Sequence, residues 1–216
     1  MSASSWVTRR LRPVDQHEFS KIQHGFDRTL HLPVAKILPG EFYATSDDEL
    51  ITTTLGSCVS ACLWSPEFGV GGMNHFMLPE AGPSHIDARA IQSGGEAARY
   101  GSFAMEHLIN AILATGLRRE DLRAKIVGGG KVLSIATDIG ARNIEFVRAF
   151  LATEGIEIIG ENVGGDSGRQ VRFRPATGGA QVRSLGATSR RTIASEEDSY
   201  RRSLKDQPAT GDIEMF

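Results

Sequence analysis

Apolar and polar positions along this chain change from strand-like alternation to helical spacing and back. The first 33 residues are polar and charged without a clear period, which predicts a loosely ordered arm before Val34. Four short runs that follow are apolar or rich in β-branched residues and are bounded by turn residues. They predict strands at 41–45, 50–54, 59–64 and 72–78.

Two later segments carry apolar side chains at helical spacing. The first begins with Ser93 and Glu96, which fit a capping box, and is expected to end at Gly116. The second extends from about Gly140 to Glu154. Further strands are predicted at 125–127, 156–163, 170–174 and 181–185. The last two are expected to pair with each other across a glycine turn.

The order of elements indicates the fold class. Strands come first, and helix, strand, helix and strands follow, which is typical of mixed α/β (α+β) packing around one core over residues 34–186. Residues 187–216 lose this pattern and become rich in Ser, Thr, Arg and Glu, which predicts a flexible tail. The tail ends in apolar residues that form a candidate docking peptide, namely Ile213, Met215 and Phe216.

Composition narrows the class of protein. The chain has 216 residues, a hydrophobic fraction of 40% and a formal net charge of −2, so neither nucleic acid nor an anionic membrane is an expected partner. It has no run near the roughly 20 apolar residues that span a bilayer, so membrane insertion is not expected. The arginines near the N-terminus are not followed by the apolar region of a signal peptide, so secretion is not expected. Cys58 and Cys62 are too few for a disulfide framework, and we therefore expect a reduced, cytoplasmic protein.

One stretch combines residues that could carry out chemistry. Cys58 directly follows Gly56 and Ser57, and His75 begins a second apolar run. A thiol beside an imidazole is the minimum equipment for acyl transfer, because the thiolate attacks while the base removes and returns a proton. Gly56 allows close approach of the backbone to a substrate. The N–H groups of Ser57 and Cys58 could then face an oxyanion.

Structural interpretations compete with this one. A lone buried cysteine is more often a small core residue, and a lone histidine is more often structural. Cys62 lies within an apolar run and is expected in the core. His85 and Asp87 share a loop without a third ligand, so neither a metal nor a cofactor is expected. The glycines at 128–130 lack the Lys-Ser/Thr of a phosphate loop and indicate a strand-end turn.

The segments Thr54-Leu55-Gly56-Ser57-Cys58-Val59 and Gly71-Gly72-Met73-Asn74-His75-Phe76-Met77-Leu78-Pro79 together resemble the signature of the CheD family. This family comprises the chemoreceptor glutamine deamidases of bacterial and archaeal chemotaxis. Lys125-Ile126-Val127-Gly128-Gly129-Gly130 is similar to its glycine-rich strand end. Ile139-Gly140-Ala141-Arg142-Asn143 is similar to the start of its second helix. The similarity covers about residues 36 to 175.

The resemblance implies a fold, an activity and a set of site residues. The fold would be a mixed β-sandwich flanked by helices, akin to glutamine-deamidating toxins. The activity would be hydrolysis of glutamine side-chain amides in methyl-accepting chemotaxis receptors. Some members of the family also bind a CheC-type phosphatase. The catalytic residues would be Thr52, Cys58 and His75, and the candidate oxyanion- or substrate-binding residues are Gly56, Ser57 and Asn74.

In the chemistry that we expect, Cys58 attacks the carboxamide carbon, His75 protonates the departing ammonia, and water then hydrolyses the thioester. Thr52 would orient the imidazole through its hydroxyl, although the segment 52–54 is also typical of an ordinary strand. Two other classes of function remain open. One is a non-enzymatic adaptor that binds a phosphatase, and the other is a thiol peptidase or transamidase.

Overall fold

The computed structural model describes residues 11–78, 96–132 and 138–206. Within these ranges the chain forms ten strands, three α-helices and two short 3-10 turns. The strands are β1 Gln23–Asp27, β2 Leu32–Lys36, β3 Phe42–Thr45, β4 Leu50–Leu55, β5 Val59–Trp64, β6 Gly71–Asn74, β7 Arg123–Gly128, β8 Glu157–Val163, β9 Arg169–Arg174 and β10 Gly179–Ser184. The helices are α1 Glu96–Leu113, α2 Ile139–Thr153 and α3 Ala187–Asp206.

The strands form two five-stranded mixed sheets, in the orders β1-β2-β4-β9-β10 and β3-β6-β5-β7-β8. The pairs β2–β4 and β7–β8 are parallel, and the other pairs are antiparallel. Trp64 and Phe173 link the sheets, with ring centroids 5.8 Å apart. Helices α1 and α2 pack on the second sheet. The predicted α+β class, a sandwich flanked by helices, is confirmed.

The burial of each strand explains its sequence pattern. Every residue of β5 is buried, which accounts for the continuous apolar run at the centre of its sheet. Strand β9 instead alternates between buried and half-buried positions, because one of its faces is directed away from the core. The predicted pairing of β9 with β10 is confirmed by the register from Arg174–Gly179 to Arg169–Ser184.

The N-terminal region is more ordered than its sequence suggested. Strands β1 and β2 form an antiparallel hairpin, and β2 continues the sheet by pairing with β4. The expectation of a loose arm up to residue 33 is therefore wrong for the hairpin. Four of the five residues of β1 are exposed at the sheet edge, so the strand has no apolar face that periodicity could detect.

The expected flexible tail also differs from the structure, which forms α3 over Ala187–Asp206. Few side chains of this helix are buried, so its composition is that of a solvated segment. Asp198 forms ion pairs with Arg201 and Arg202 one turn later, which support the helix from within. These acidic and basic side chains produced the tail-like composition of the region.

Several other predictions concern helix and strand ends. The two predicted helices are confirmed as α1 and α2, with Ser93 outside the described residues. The predicted strand at 72–78 ends earlier, at Asn74, so His75 follows β6. His85, Asp87 and the candidate docking peptide at 211–216 also lie outside the described residues. In the described part of the chain, no helix combines the length and apolar character that a bilayer crossing requires.

Candidate active site

Cys58 lies in the tight connection between β4 and β5, and its side chain is fully buried. The glycine-rich end of β7 holds this connection. Gly129 N–H donates to the carbonyl of Cys58 and Gly130 N–H to that of Gly56, each at 2.7 Å. A side chain at Gly128 (φ 114°) would bring its Cβ into collision with the Cys58 carbonyl oxygen. The predicted strand-end turn is thus confirmed, and it supports the cysteine loop.

Asn143 fixes the same loop from α2. Its Nδ2 donates to the carbonyl of Ser57 at 2.8 Å, and its Oδ1 accepts from Leu78 N–H at 2.9 Å. The side chain is fully buried, so both bonds are made away from water. Asn143 therefore ties the cysteine loop to the segment after His75. In the sequence, the available signal was a polar residue near the start of α2, on the face that carries the apolar side chains.

The pairing of β5 with β6 brings His75 to Cys58. Val59 and Phe76 exchange two backbone hydrogen bonds, both of 3.0 Å. Cys58 and His75 each precede one member of this pair, so their side chains point to the same face. The sulfur of Cys58 and a ring nitrogen of His75 lie within 4.8 Å. The expected meeting of the two residues is confirmed, but both side chains are buried, whereas the enzyme interpretation expected them in an accessible cleft.

The hydrogen bonds of Thr53 determine the tautomer of His75. Oγ1 of Thr53 lies 2.8 Å from Nδ1 of His75 and donates its only proton to the carbonyl of Ile37, also at 2.8 Å. It can therefore only accept from the imidazole, which places the ring proton on Nδ1. Among the described residues, Nε2 has no hydrogen-bond partner. This nitrogen carries the free lone pair that a general base requires.

The expectation for Thr52 does not agree with the structure. Its hydroxyl donates to the carbonyl of Val171 at 2.8 Å, on the neighbouring strand β9. Successive side chains of a strand point to opposite faces, so Thr52 and Thr53 cannot both reach His75. The threonine that contacts the imidazole is Thr53.

Asn74 also lies elsewhere than its predicted role requires. Its Oδ1 accepts from Ala61 N–H at 2.8 Å, and its Nδ2 donates to the carbonyl of Ala104 at 3.2 Å. These bonds join β5, the end of β6 and α1, and they occupy the side-chain amide. Asn74 is therefore a support of the sheet, and the candidate oxyanion donors lie in the cysteine loop.

The N–H groups of the cysteine loop converge on the carboxylate of Glu197, which α3 provides. Gly56 and Cys58 donate to Oε1 at 2.7 and 3.0 Å. Ser57 donates to Oε2 through its N–H at 2.7 Å and its hydroxyl at 2.5 Å. A side chain at Gly56 would place its Cβ 2.7 Å from Oε2, so the close approach requires glycine. The loop is thus arranged to bind a negatively charged oxygen.

Burial keeps both reactive groups neutral in this arrangement, and the charge of Glu197 favours the neutral thiol but opposes the neutral imidazole. Burial raises the pKa of the Cys58 thiol, and the negative charge and hydrogen bond of Glu197 raise it further. Burial lowers the pKa of His75 to about 4, against an opposing effect of the Glu197 charge. The neutral imidazole can accept a proton, but the thiol beside a carboxylate has little tendency to lose one.

Cys62 differs from Cys58 in its surroundings. It is fully buried on β5, and burial raises its pKa to about 12. Both cysteines are free thiols. The one cluster of His, Cys and acidic side chains found among the described residues includes Cys58 and not Cys62, and the predicted place of Cys62 in the core is confirmed.

Cys58, His75 and Glu197 together offer ligand types that zinc accepts, with candidate atoms within 4.8 Å of one another. Both oxygens of Glu197 already accept two hydrogen bonds each from the cysteine loop. Their lone pairs are therefore directed at N–H and O–H groups. The geometry fits a hydrogen-bonded carboxylate better than a metal ligand.

The comparisons of this chain with known proteins all give the same family. The family described as "CheD chemotactic sensory transduction" matches residues 77–184. A protein of Halorhodospira halophila named "Probable chemoreceptor glutamine deamidase CheD" is 45% identical, over 92% of this chain and 91% of its own length. Proteins with the same name from Methylobacillus flagellatus and Saccharophagus degradans are 48% and 42% identical. The matches cover 88% and 99% of this chain, and 93% and 98% of those proteins.

Sequence reasoning missed Glu197 altogether. It is separated from the cysteine loop by about 140 positions, and no motif surrounds it. The available signal was the spacing of Ile193, Glu197, Tyr200 and Leu204, which recur on one helical face. An acidic residue within an otherwise apolar stripe indicates a buried and therefore partnered carboxylate.

Proposed function

This chain belongs to the CheD family, and from that premise we propose that it is a cytoplasmic chemoreceptor glutamine deamidase. It hydrolyses glutamine side-chain amides in the cytoplasmic region of methyl-accepting chemotaxis receptors to glutamate and ammonia. The observation that carries the proposal is the convergence of three backbone N–H groups on a carboxylate beside Cys58 and His75. A carboxylate is the group that this reaction produces.

In the first half of the reaction, the substrate carbonyl oxygen takes the place of a Glu197 oxygen in the cysteine loop. Nε2 of His75 accepts the thiol proton as the sulfur of Cys58 attacks the amide carbon. The N–H groups of the loop stabilise the resulting oxyanion, and each such donor contributes about 3–4 kcal/mol in related sites. The carbon–nitrogen bond then breaks, and ammonia leaves with the proton that His75 returns.

In the second half, water attacks the thioester while His75 accepts one of its protons. The carbon–sulfur bond breaks, the proton returns to the sulfur, and glutamate is released. Thr53 maintains the ring orientation throughout, because its hydroxyl holds the Nδ1 proton. The new carboxylate adds a negative charge to the receptor surface, which alters helix packing and signalling.

The test is to incubate the protein with receptor cytoplasmic fragments and to map each converted glutamine by mass spectrometry, with ammonia release as a second readout. Cys58→Ala and His75→Ala should abolish conversion, and Cys62→Ala should retain it. Full activity in the Cys58→Ala protein would overturn the mechanism. Chain cleavage or amine incorporation would instead indicate a thiol peptidase or transamidase.

A second candidate function is a non-enzymatic adaptor that binds a CheC-type phosphatase. The observation in its favour is the complete burial of the Cys58 side chain beneath Glu197. Under this alternative, a Cys58→Ala protein would still restore chemotaxis in cells that lack the native protein. If the Cys58→Ala protein is present at normal abundance and chemotaxis is still lost, adaptor binding alone does not account for the function.

A further inference from the structure

Helix α3 presents one narrow face to the rest of the protein. Ile193, Glu197, Tyr200 and Leu204 follow one another by four, three and four positions and form a single stripe. Ile193, Glu197 and Leu204 are buried, and Tyr200 is half-buried. An apolar stripe with one carboxylate at its centre directs that carboxylate into the protein.

The stripe fits complementary features of the surface below it. Cδ1 of Ile193 lies over Gly168, where an added Cβ would come within 2.5 Å of it. The Tyr200 ring lies over Gly40, with its hydroxyl 3.0 Å from the position of an added Cβ. The same hydroxyl bonds to that of Tyr100 on α1. The surface therefore forms a groove whose glycines admit the side chains of a helix.

The groove also leaves free space next to His75. A cavity of about 780 Å³ lies between α3 and the body of the protein. Ile37, Pro39 and His75 line it from one side, and Thr192 and Tyr200 line it from α3. The helix therefore covers His75 without filling the space around it.

We propose that α3 is an intramolecular mimic of the deamidated receptor helix, with Glu197 in the position of the product glutamate. This inference rests on the proposed function. The helix closes the site until it is displaced. The groove then selects substrate helices that have the same spacing of apolar side chains as α3. A target glutamine would therefore lie on an amphipathic helix with apolar residues four positions before it and three and seven positions after it.

The hydrogen bonds explain why a carboxylate holds the closed state. Both oxygens of Glu197 accept, so all four donors of the cysteine loop are paired. An amide nitrogen cannot accept a hydrogen bond, so a glutamine would leave either the N–H of Ser57 or the N–H groups of Gly56 and Cys58 without an acceptor. The carboxylate also resists thiolate attack, because it already carries a negative charge and has no amine to expel.

The first test makes the mimic into a substrate. In Glu197→Gln, the sulfur of Cys58 attacks the amide carbon of the introduced side chain, ammonia leaves with the thiol proton, and water then cleaves the thioester. The balance is one water consumed and one ammonia released, which restores glutamate at position 197. We expect mass mapping to show this conversion in the purified protein. The double variant Glu197→Gln, Cys58→Ala should keep its glutamine.

The second test opens the site in the full-length chain. Glu197→Ala should increase the rate of Cys58 alkylation by iodoacetamide and the rate of receptor-fragment deamidation, each by about tenfold or more. Glu196→Ala is the matched control, since it removes the same charge from the neighbouring, exposed position. Cys62 is an internal control, because it is buried on β5 in the centre of its sheet, away from the residues that α3 contacts. Circular dichroism of each variant checks that the fold is retained.

The outcomes separate this inference from the proposed function. If receptor fragments are deamidated but the glutamine introduced by Glu197→Gln persists, α3 does not act as a product mimic. If Glu197→Ala alters neither alkylation nor deamidation relative to Glu196→Ala, α3 does not close the site. If no receptor fragment is converted by any variant, yet the introduced glutamine reverts only when Cys58 is present, the mimic stands and the receptor assignment fails.

Discussion

Thr53 lies between His75 and the carbonyl of Ile37, at 2.8 Å from the imidazole Nδ1 and 2.8 Å from the carbonyl oxygen. This chain of two hydrogen bonds has one direction only, because the carbonyl can only accept. It fixes the proton on Nδ1 and leaves Nε2 as the ring nitrogen that can accept a proton. The neighbouring Thr52 contacts β9, so the two adjacent threonines have separate roles.

The first prediction compares these two threonines. Thr53→Val should lower the deamidation rate by about 5- to 150-fold, because an imidazole N–H left unpaired in a buried site costs about 1–3 kcal/mol. Thr53→Ser should restore most of the rate. Thr52→Val should change it little, and kcat with receptor fragments measures all three. Equal losses in Thr52→Val and Thr53→Val would contradict the role assigned to Thr53.

The second prediction concerns the close approach at Gly56. A methyl group there would place its Cβ 2.4 Å from Val132 Cγ2, which would displace the backbone N–H of Gly56. We expect Gly56→Ala to lower activity at least about tenfold, because a displaced oxyanion donor costs about 3–4 kcal/mol. Gly25→Ala is the control, since nothing lies within 4 Å of its added Cβ. An active Gly56→Ala protein with native stability would show that the loop needs no glycine here.

The third prediction concerns Asn143. Asn143→Ala removes two buried hydrogen bonds, so the free energy of unfolding should fall by about 2–4 kcal/mol. The deamidation rate should fall as well, because the Ser57 carbonyl loses its anchor. Thr153 lies on the same helix, and Thr153→Ala removes only an exposed hydrogen bond of its hydroxyl, so this variant should have little effect. Urea denaturation measures both variants, and a similar loss in each would contradict the prediction.

The fourth prediction follows from the pKa of His75, which burial lowers from 6.5 to about 4. Between these values the unfolded chain binds a proton that the folded chain does not. The free energy of unfolding should therefore decrease as the pH falls from about 6.5 to about 4, by on the order of 3 kcal/mol. Above pH 6.5 His75 should contribute no pH dependence.

Urea denaturation across this pH range tests the prediction, with His75→Gln as the comparison. Glu197 and the Cys58 thiol face the imidazole, and Glu197→Ala reports the contribution of the carboxylate to the slope. A His75→Gln protein that lost stability in acid as steeply as the native chain would show that another group titrates.

The sequence alone was sufficient for most of the core. The periods of apolar residues predicted α1, α2 and most of the strands, because local side-chain direction follows directly from secondary structure. The nearness of Cys58 and His75 was also accessible, since it depends on a short connection between two adjacent strands. These features depend on residues that are close together in the chain, so the local sequence pattern is enough to predict them.

Only the tertiary structure decided the rest of the site. Whether Thr52 or Thr53 faces the imidazole depends on which face of β4 is directed at His75, which the Thr-rich pattern does not reveal. Asn143 and Glu197 reach the cysteine loop from 86 and about 140 positions away. Helical spacing can indicate that each side chain faces inward, but it does not indicate which distant backbone groups the side chain will bind. Long-range contacts of this kind exist only once the chain has folded, and for that reason the arrangement of the site is a property of the fold.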